Sequence, residues 1–520
     1  MSKEEATAND GINRAKMYQL VLFPMNNGAT NVYFVLILSY VAIFGSTVLF
    51  FAAAAYLVTL MRLFDAITDP IIGALMDRTN TKFGKFRPFM VIGNVIMAVS
   101  VILLYMGTPL IPEDMQTLRN VAFIVLYAVW VIGYTFQTSV TRSAQSVLTN
   151  DPKQRPMFTI FNTVASLLGM GVMQFLIPLV ADNIAPLESA ECYAVITPIG
   201  VVLSAVLTFL AIIGIAEKDN EKYFGIGGEQ QEKTKISEYM AIVKVNKPLQ
   251  RLMIAGGGCK LALSIAINTS VVAMLYNGLM GDYGGLYLPM MIVGYVFSVP
   301  FFILSLRTSQ KEGQKASLVK YVRVALICYV GVLVLLLLWN PENAALNLSL
   351  IGENGISINV YTILFIVFYG IGYGAYYATA DMPIPMVADC SDYETYRSGK
   401  YIPGIMGTLF SLVDKLVSSL SSTVVQILIT VLIGWSYMPG NSVEYAEGMK
   451  EVVIITFCVI PMIAWVLTLW AMKGYELSGS RMKEIQAINA VRKDAIAKGM
   501  RLEEAMKKWQ TIEDVPAEFK

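Results

Sequence analysis

The chain has 520 residues, of which 56% are hydrophobic and 15% charged, and its formal net charge is +1. A soluble chain of this length carries about a quarter charged residues, so the composition excludes an ordinary soluble protein. It indicates a helical protein that crosses a membrane several times. The near-neutral charge argues against nucleic acid as a partner. Because the chain has no histidine and no metal-binding or nucleophile pattern stands out, neither an enzyme nor a cofactor is expected.

Residues 1–17 are polar and of mixed charge, which is not typical of a cleavable signal peptide, so we predict a cytoplasmic N-terminal segment. The apolar runs that follow reach the roughly 20 residues that a bilayer helix needs. The sequence therefore predicts an all-α membrane protein with twelve transmembrane helices. The predicted spans are residues 18–43, 47–76, 88–106, 120–148, 157–181, 193–215, 249–277, 285–306, 318–339, 358–388, 402–435 and 451–472.

The second predicted span carries charged residues close together, at Arg62, Asp65 and Asp69. The two aspartates are four residues apart and share one helical face, and Arg62 lies one turn earlier on nearly the same face. A carboxylate near the bilayer centre costs at least roughly 2.5–3.5 kcal/mol, so the pair needs a partner or water. We interpret the pair as a site in a polar cavity where a cation neutralises both carboxylates. The alternative is a structural ion pair with Arg62 and no ligand.

Polar residues also lie inside the first, fourth, tenth and eleventh predicted spans. Because polar groups in lipid are costly, these four helices are expected to line a cavity. The asparagines of the first span could instead serve as interhelical hydrogen-bonding groups. The candidate solute-binding residues on these helices are Asn26, Asn27, Gln137, Thr138, Ser411, Asp414 and Lys415, and the tenth span contributes Asp381.

Loop charge predicts the orientation in the membrane. One set of loops is rich in lysine and arginine. In the opposite set, residues 181–191 and 341–357, all of the charged residues are acidic. The positive-inside rule then places both termini in the cytoplasm, and we expect the inner membrane as the location. The basic loops carry Arg78, Lys82, Lys85, Arg87, Lys153, Arg155, Arg307, Lys311, Lys315 and Lys320.

A charged, glycine-rich stretch in the middle of the chain divides it into two halves. Corresponding loops of the two halves have similar charge patterns. This pattern is expected for the parallel repeats of a transporter. After the last span, Met482, Ile485, Ile488 and Val491 recur at helical spacing, which predicts an amphipathic helix that is solvated or docked. The predicted domains are residues 1–17 (N-terminal segment), 18–216 and 249–472 (six-helix bundles), 217–248 (cytoplasmic linker) and 473–520 (cytoplasmic tail).

The chain resembles the glycoside–pentoside–hexuronide:cation symporters of the major facilitator superfamily, the family of the melibiose carrier. The resemblance spans essentially the whole chain, and it implies a major facilitator fold of two six-helix halves. It rests on Arg62-x-x-Asp65-Ala-x-x-Asp69-Pro70-x-x-Gly73-x-x-x-Asp77 and Gly84-Lys85-Phe86-Arg87-Pro88, supported by Gly133-Tyr134-Thr135, Asp389, Asp392, Lys415 and Tyr475.

The resemblance also assigns roles. It implies that Asp65 and Asp69 bind the coupling cation, a metal ion if the transporter uses sodium, with Thr135 as a further oxygen ligand. Carboxylates and a hydroxyl are the hard oxygen ligands that sodium prefers. It places Lys415 near the same site. A cytoplasmic gate is implied for Arg87, Arg155, Asp389 and Asp392.

The sequence departs from the melibiose-type pattern where the sugar is held. Acidic residues of the first and fourth spans are replaced by Asn26-Asn27 and Thr138, and a stacking aromatic is replaced by Arg142. The galactoside-type site is therefore missing, and an anionic solute such as a hexuronide is favoured. Arg142 could instead extend to the cytoplasmic end of its helix.

We therefore expect a cation-coupled symporter of a glycoside or sugar-like solute. Its partners would be the solute, sodium or a proton, and the lipid bilayer, and we expect a monomer. One alternative is a symporter of an amphiphilic, lysolipid-like solute, which the polar cavity residues argue against. The other is a membrane sensor that transports nothing, which the complete set of gate residues argues against.

Overall fold

A computed structural model describes residues 14–79, 81–149, 154–220, 243–352, 355–356, 358–380, 382–399, 403–477 and 479–516. Regular structure in these ranges is helical except for two paired two-residue strands, β1 (Ile351–Gly352) and β2 (Gly355–Ile356). Short π-helical turns continue several helices, at Val35–Ser39, Leu103–Gly107, Met274–Leu279 and Ile454–Val459.

The α-helices before the central stretch are α1 (Met17–Leu22), α2 (Met25–Phe34), α3 (Val41–Thr47), α4 (Ala54–Arg78), α5 (Arg87–Ile102), α6 (Gln116–Ser143), α7 (Gln145–Leu148), α8 (Gln154–Asn183) and α9 (Ala190–Ile215). Those after it are α10 (Lys247–Ala266), α11 (Thr269–Ala273), α12 (Tyr283–Glu312), α13 (Gln314–Leu338), α14 (Val360–Thr379), α15 (Pro383–Ser398), α16 (Pro403–Leu432), α17 (Met449–Val453), α18 (Ile460–Lys473), α19 (Ser480–Ala497) and α20 (Leu502–Lys508). Single 3₁₀ turns lie at Thr108–Leu110, Glu113–Met115, Ala344–Leu346 and Ile512–Asp514.

Most of the helices match the predicted membrane spans. Within the described ranges, ten helices are long and apolar enough to cross a membrane, and the broken pair Lys247–Ala266 and Thr269–Leu279 makes an eleventh. Helix α4 has 25 residues, about 37 Å, which is also long enough to span. It is not counted among these because it carries the charged residues Arg62, Asp65 and Asp69. With α4 included, the helices are consistent with the predicted twelve.

The tenth predicted span, residues 358–388, is longer than the helix found there. Helix α14 ends at Thr379, and the separate helix α15 begins at Pro383. The reason is that proline fits the first turn of a helix, where its missing N–H is not needed, but breaks a helix interior. Asp381, which the sequence analysis placed in this span, lies outside the described residues.

The chain folds into two compact units. Unit 1 comprises Met1–Gln230, Asn268–Gly284 and Ser422–Met449, and unit 2 comprises the remainder. In unit 1, α5 and α6 pack with their backbones close together. A Cβ added at Gly93 or at Gly133 would lie 2.9 Å from the carbonyl oxygen of the other glycine. Small residues of this kind allow close helix contact in membrane proteins.

Unit 1 also holds the segment 434–448, which lies between α16 and α17. The backbone N–H of Met438 donates to Ser46 Oγ at 3.0 Å. Glu188 Oε1 accepts from the N–H groups of Gly440 and Ser442 at 2.8 and 3.3 Å. Asn441 accepts from the N–H of Leu187 at 2.9 Å. These bonds attach the segment to the ends of α3 and α9.

In unit 2, the predicted tail helix is confirmed as α19, and it is docked rather than solvated. Its four apolar residues Met482, Ile485, Ile488 and Val491 are all buried. Arg492 donates to the carbonyl oxygens of Tyr396 on α15 (2.7 Å) and of Trp509 (2.6 Å). Ile488 and Val491 share a small core with Ala505, Trp509 and Val515.

Candidate functional site

Asp65 is the centre of the candidate site in unit 1. Its side chain is buried, with 1% of the residue exposed. Thr135, on α6, donates its hydroxyl to Asp65 Oδ1 at 2.8 Å. Arg62 Nη1 lies 3.3 Å from Asp65 Oδ2. The two oxygens of one carboxylate therefore contact a hydroxyl from another helix and a guanidinium from the preceding turn.

Helix α4 presents its polar residues on its buried face. Thr68 Oγ1 donates to the carbonyl oxygen of Asp65 at 3.0 Å and lies 3.2 Å from Thr135 Oγ1. Asp69 follows Asp65 by one turn and is half-buried. The opposite face is apolar and exposed, as expected for a helix that faces lipid. This exposed face is formed by Leu60, Leu63, Ile67, Ile71 and Leu75.

The Arg62 side chain is buried as well. Its guanidinium lies over the ring of Phe34 at 5.4 Å and over that of Tyr134 at 5.8 Å. Aromatic faces attract a guanidinium, so Arg62 has partners besides Asp65. The structural ion pair that we considered as an alternative is therefore present. It occupies one side of Asp65, while Thr135 contacts the other.

Two of the candidate solute-binding residues belong to a buried polar network. Asn26 and Gln137 are fully buried. Asn26 Nδ2 donates to Gln137 O at 3.0 Å, and Gln137 Nε2 donates to Asn26 Oδ1 at 2.9 Å and to Thr208 Oγ1 at 2.7 Å. Asn94 Nδ2 also donates to Thr208, at 3.0 Å. This arrangement favours the interhelical role for both residues.

The neighbouring positions are only half-buried. Asn27 Nδ2 lies 3.3 Å from the carbonyl oxygen of Asn162, and Asn31 Nδ2 lies 3.1 Å from Asn27 Oδ1. Thr138 donates to the carbonyl oxygen of Tyr134 at 2.9 Å. Asn31 and Asn162 were not among the residues predicted from the sequence. The four-residue spacing of Asn27 and Asn31, which places both on one helical face, could have identified Asn31.

In unit 2, α16 carries a polar stripe at helical spacing: Ser411, Asp414 and Ser418 are all half-buried, and Lys415 is buried. Asp414 Oδ1 lies 3.5 Å from Lys260 Nζ on α10. Lys260 was also not among the residues predicted from the sequence. An isolated lysine inside a predicted span is itself a signal of a functional site.

The residues predicted to form a gate lie in both units. Arg87 Nε lies 3.3 Å from Asp219 Oδ2 in unit 1, a partner that the sequence did not indicate. Asp389 and Asp392 lie on α15 in unit 2. The side chains of Arg142 and Arg155 are outside the described residues.

A family model described as MFS/sugar transport protein matches residues 22–479, which is most of the chain. The chain belongs to this family. Its members and structural neighbours are transporters, so this protein is a multi-pass membrane transporter of sugars or similar solutes and not an enzyme.

Individual relatives agree with this assignment. The chain is 23% identical to the uncharacterized symporter YnaJ of Bacillus subtilis over 92% of its own length and 95% of that symporter. It is 25% identical to the glucuronide carrier protein homolog of Escherichia coli, covering 84% and 86% of the two chains. The crystal structure of a D-xylose–proton symporter matches with a TM-score of 0.55 and 14% identity, over 86% of this chain and 97% of that one. The last likeness shows the major facilitator fold.

One pair of acids on the transporter gives a pH-dependent prediction. Burial, and to a lesser extent the charge of Asp392, raises the pKa of Asp389 from 3.8 to about 6. A raised pKa means that the folded protein disfavours the charged carboxylate, so the stabilising protonated form is lost as pH rises through about 6. Stability is lost between the unfolded value of 3.8 and the folded value of about 6, so we expect Asp389→Asn to raise the melting temperature at pH 7 and to raise it by a smaller amount at pH 5.

The measurement is thermal unfolding of the purified transporter at both pH values. Glu503→Gln, on the exposed side of α20, is the matched control and should be neutral at both. A difference between Asp389→Asn and wild type that is the same at pH 5 and pH 7 would contradict the prediction.

Proposed function

We propose that this transporter is a symporter that couples entry of a glycoside or related sugar-like solute to a cation, sodium or a proton, at Asp65 and Asp69. The observation that carries the proposal is the buried contact between Thr135 Oγ1 and Asp65 Oδ1 at 2.8 Å. It brings a hydroxyl oxygen from α6 to a carboxylate on α4. With Asp69 one turn away, three hard oxygen groups lie within a short stretch of two neighbouring helices, a donor set suited to sodium.

Protonation of a carboxylate is the other way to neutralise the pair, and in the absence of histidine a proton would have to bind a carboxylate. Either cation would reduce the repulsion between the two carboxylates and favour the conformation that binds solute. The coupling is a free energy between two sites and is therefore reciprocal: bound solute should raise cation affinity by the same factor.

Alternating access would follow the pattern of other secondary transporters, in which two helix bundles rock about a midplane site. We propose that the protein lies in the inner membrane with both termini in the cytoplasm, as the distribution of basic loops predicts. In this orientation the segment 434–448 lies on the outer side. Its bonds to Ser46, Glu188 and Leu187 would close that side and would have to break when the transporter opens outward.

For the solute we favour an acidic sugar. Positions that would hold a neutral galactoside by carboxylates carry Asn27 and Thr138 instead, and Arg142 and Lys415 add positive charge. A guanidinium matches a carboxylate in two parallel hydrogen bonds. Similarity to the glucuronide carrier protein homolog supports the same class.

The test is uptake by proteoliposomes that contain the purified transporter. Methyl glycosides of glucose, galactose, xylose and glucuronic acid are compared under an inward sodium gradient, an inward proton gradient and neither. We expect accumulation of at least one compound under one gradient only, with the glucuronide preferred. Uptake of none of the four under any gradient would overturn the glycoside assignment, and equal uptake with and without gradients would overturn coupling.

Arg142→Gln tests the anionic class. We expect it to lower glucuronide uptake at least tenfold, because it removes a charged hydrogen-bond donor, and to leave uptake of a neutral glycoside nearly unchanged. Lys311→Gln, at an exposed position in the last turn of α12, is the control and should change neither. If the neutral compound is preferred by wild type and Arg142→Gln changes nothing, Arg142 is structural and the anionic assignment is wrong.

A further inference from the structure

Unit 2 contains an ion pair inside the membrane spans that the cation site does not use. Lys260 Nζ and Asp414 Oδ1 are 3.5 Å apart. The two residues lie well inside the predicted spans 249–277 and 402–435. The distance exceeds the 2.7–2.9 Å that is typical of a charge-assisted hydrogen bond, so the pair is a contact between charges and not a closed bond.

The pair lies where α10 and α16 approach each other closely. A Cβ at Gly256 of α10 would lie 2.5 Å from the ring of Phe410 on α16, closer than real Cβ contacts allow. Glycine at this position lets the helices come together, which brings Lys260, one turn further along α10, to Asp414. The pairing is therefore set by a specific helix–helix contact and not by chance extension of two long side chains.

Both charged groups are partly exposed: 23% of the Lys260 side chain and 34% of the Asp414 side chain. Exposing either charge to lipid is costly, and such residues almost always face a bundle interior or a water-filled cavity. Ser411 and Ser418 flank Asp414 on the same face of α16, one turn to either side, and are also half-buried. A polar stripe of this length is consistent with a water-filled path and not with a lipid face.

We propose that Lys260 and Asp414 together bind two neighbouring hydroxyl groups of the transported solute, and that Lys260 is a specificity-determining residue. This proposal rests on the proposed function, because it requires a sugar-like solute. An ammonium has three N–H donors and no acceptor, whereas an ionised carboxylate only accepts. A hydroxyl group does both, so one hydroxyl can accept from Lys260 while its neighbour donates to Asp414.

The pair also differs in charge from the residues that we assign to an acidic group. Lys260 and Asp414 neutralise each other, so they favour neutral hydroxyl groups and place no demand on the charge of the solute. Lys415, the next residue on α16, is a further basic residue in this helix. Different residues would therefore bind different parts of the solute. The ion pair would bind the hydroxyl groups, and the basic residues would bind the acidic group.

The competing role is a purely structural link between α10 and α16. The two roles differ in their response to a double substitution. A structural pair is damaged most by removing one partner, because the other charge is left buried, and replacing both by apolar residues is often neutral or stabilising. A binding pair loses the solute whether one or both partners are removed.

The experiment measures binding of methyl β-D-glucoside, methyl β-D-glucuronide and the monodeoxy analogues of the glucoside to the purified transporter by calorimetry. Wild type is compared with Lys260→Gln, Asp414→Asn and the double variant Lys260→Met/Asp414→Leu. We expect all three variants to bind the parent glycosides at least tenfold more weakly. We also expect the loss that wild type shows for the deoxy analogue lacking the contacted hydroxyl to disappear in the variants.

Melting temperatures of the same variants show whether each one folds, and Lys498→Gln in the tail is the control and should bind like wild type. If the double variant keeps wild-type affinity and still discriminates against every deoxy analogue that wild type rejects, the pair is structural and the proposal is wrong. If wild type itself binds none of the glycosides, the proposed function fails, and the hydroxyl-binding role fails with it. If wild type binds and the variants bind equally well, only the hydroxyl-binding role fails.

Discussion

Asp65→Asn is expected to abolish cation-driven accumulation of the solute while the protein still folds. The amide keeps the shape of the side chain and can still accept from Thr135, but it removes the charge that a cation would neutralise. Accumulation against a gradient requires that cation and solute share a coupling free energy, typically 1–3 kcal/mol or more. Asp69→Asn should have the same effect. Gradient-driven uptake should fall to the level of passive equilibration in both variants.

The measurement compares gradient-driven uptake with solute exchange at equilibrium in proteoliposomes. Exchange does not require net cation movement, so an uncoupled but folded variant should retain part of it. Asp182→Asn, at the exposed end of α8, is the control and should accumulate solute like wild type.

The alternative role, a structural ion pair between Arg62 and Asp65 with no bound cation, predicts a different result. If Arg62 alone neutralises Asp65 and no cation binds, Asp65→Asn leaves the guanidinium with its aromatic partners only and should lower the melting temperature without uncoupling. Concentrative uptake at the wild-type level in both Asp65→Asn and Asp69→Asn would show that these aspartates do not form the cation site. Thr135→Val should weaken cation dependence by a smaller factor, since one neutral oxygen is lost.

Asp219→Ala is expected to lower the stability of the transporter by about 3 kcal/mol or more, since each buried donor left without a partner costs about 1–3 kcal/mol. The Asp219 side chain is fully buried. Its carboxylate accepts from the backbone N–H groups of Lys85, Phe86 and Arg87 at 2.8, 3.1 and 2.9 Å. It therefore caps the N-terminus of α5, where a negative charge is favourable.

Gly84 lies against the same Asp219 carboxylate, so a substitution there tests the same contact. Its φ is +98°, and a Cβ at this position would overlap the Asp219 carboxylate. Gly84→Ala should therefore destabilise the protein for both reasons, backbone strain and lost space. The neighbouring Glu217 is the matched control: its exposed carboxylate pairs with Lys16 at 3.0 Å and accepts from Tyr18 and Gln19 at 2.9 and 3.1 Å, and exposed pairs contribute little.

Thermal or denaturant unfolding in detergent checks both predictions. Asp219→Ala and Gly84→Ala should each lower the melting temperature clearly, while Glu217→Ala should change it little. A melting temperature of Asp219→Ala equal to that of Glu217→Ala would show that the cap does not stabilise the protein. Because Arg87 Nε also contacts Asp219, the same variant should free Arg87, and a changed rate of solute exchange would link this contact to the predicted gate.

Features that depend on local pattern could be predicted from the amino-acid sequence. Length and polarity of each apolar run predict the spans, because the bilayer accepts only helices about 20 residues long. Four-residue spacing placed Asp65 and Asp69 on one face, and helical spacing predicted the tail helix around Ile485 and Ile488. The motif in the second span was long enough to indicate the family.

Features that depend on contacts between distant parts of the chain were decided only by the tertiary structure. Asn26 and Asn27 are adjacent and identical in type, yet packing buries Asn26 in a network and leaves Asn27 half-buried, since adjacent residues on a helix point about 100° apart. Lys260 and Asp414 are far apart in sequence, and their pairing follows from the close approach of α10 to α16. In the sequence, Asp219 is one of several acids in a charged stretch, and only the position of α5 beside it shows that it caps this helix. Helical periodicity gives the face on which a side chain lies, but only packing decides which partner that face meets.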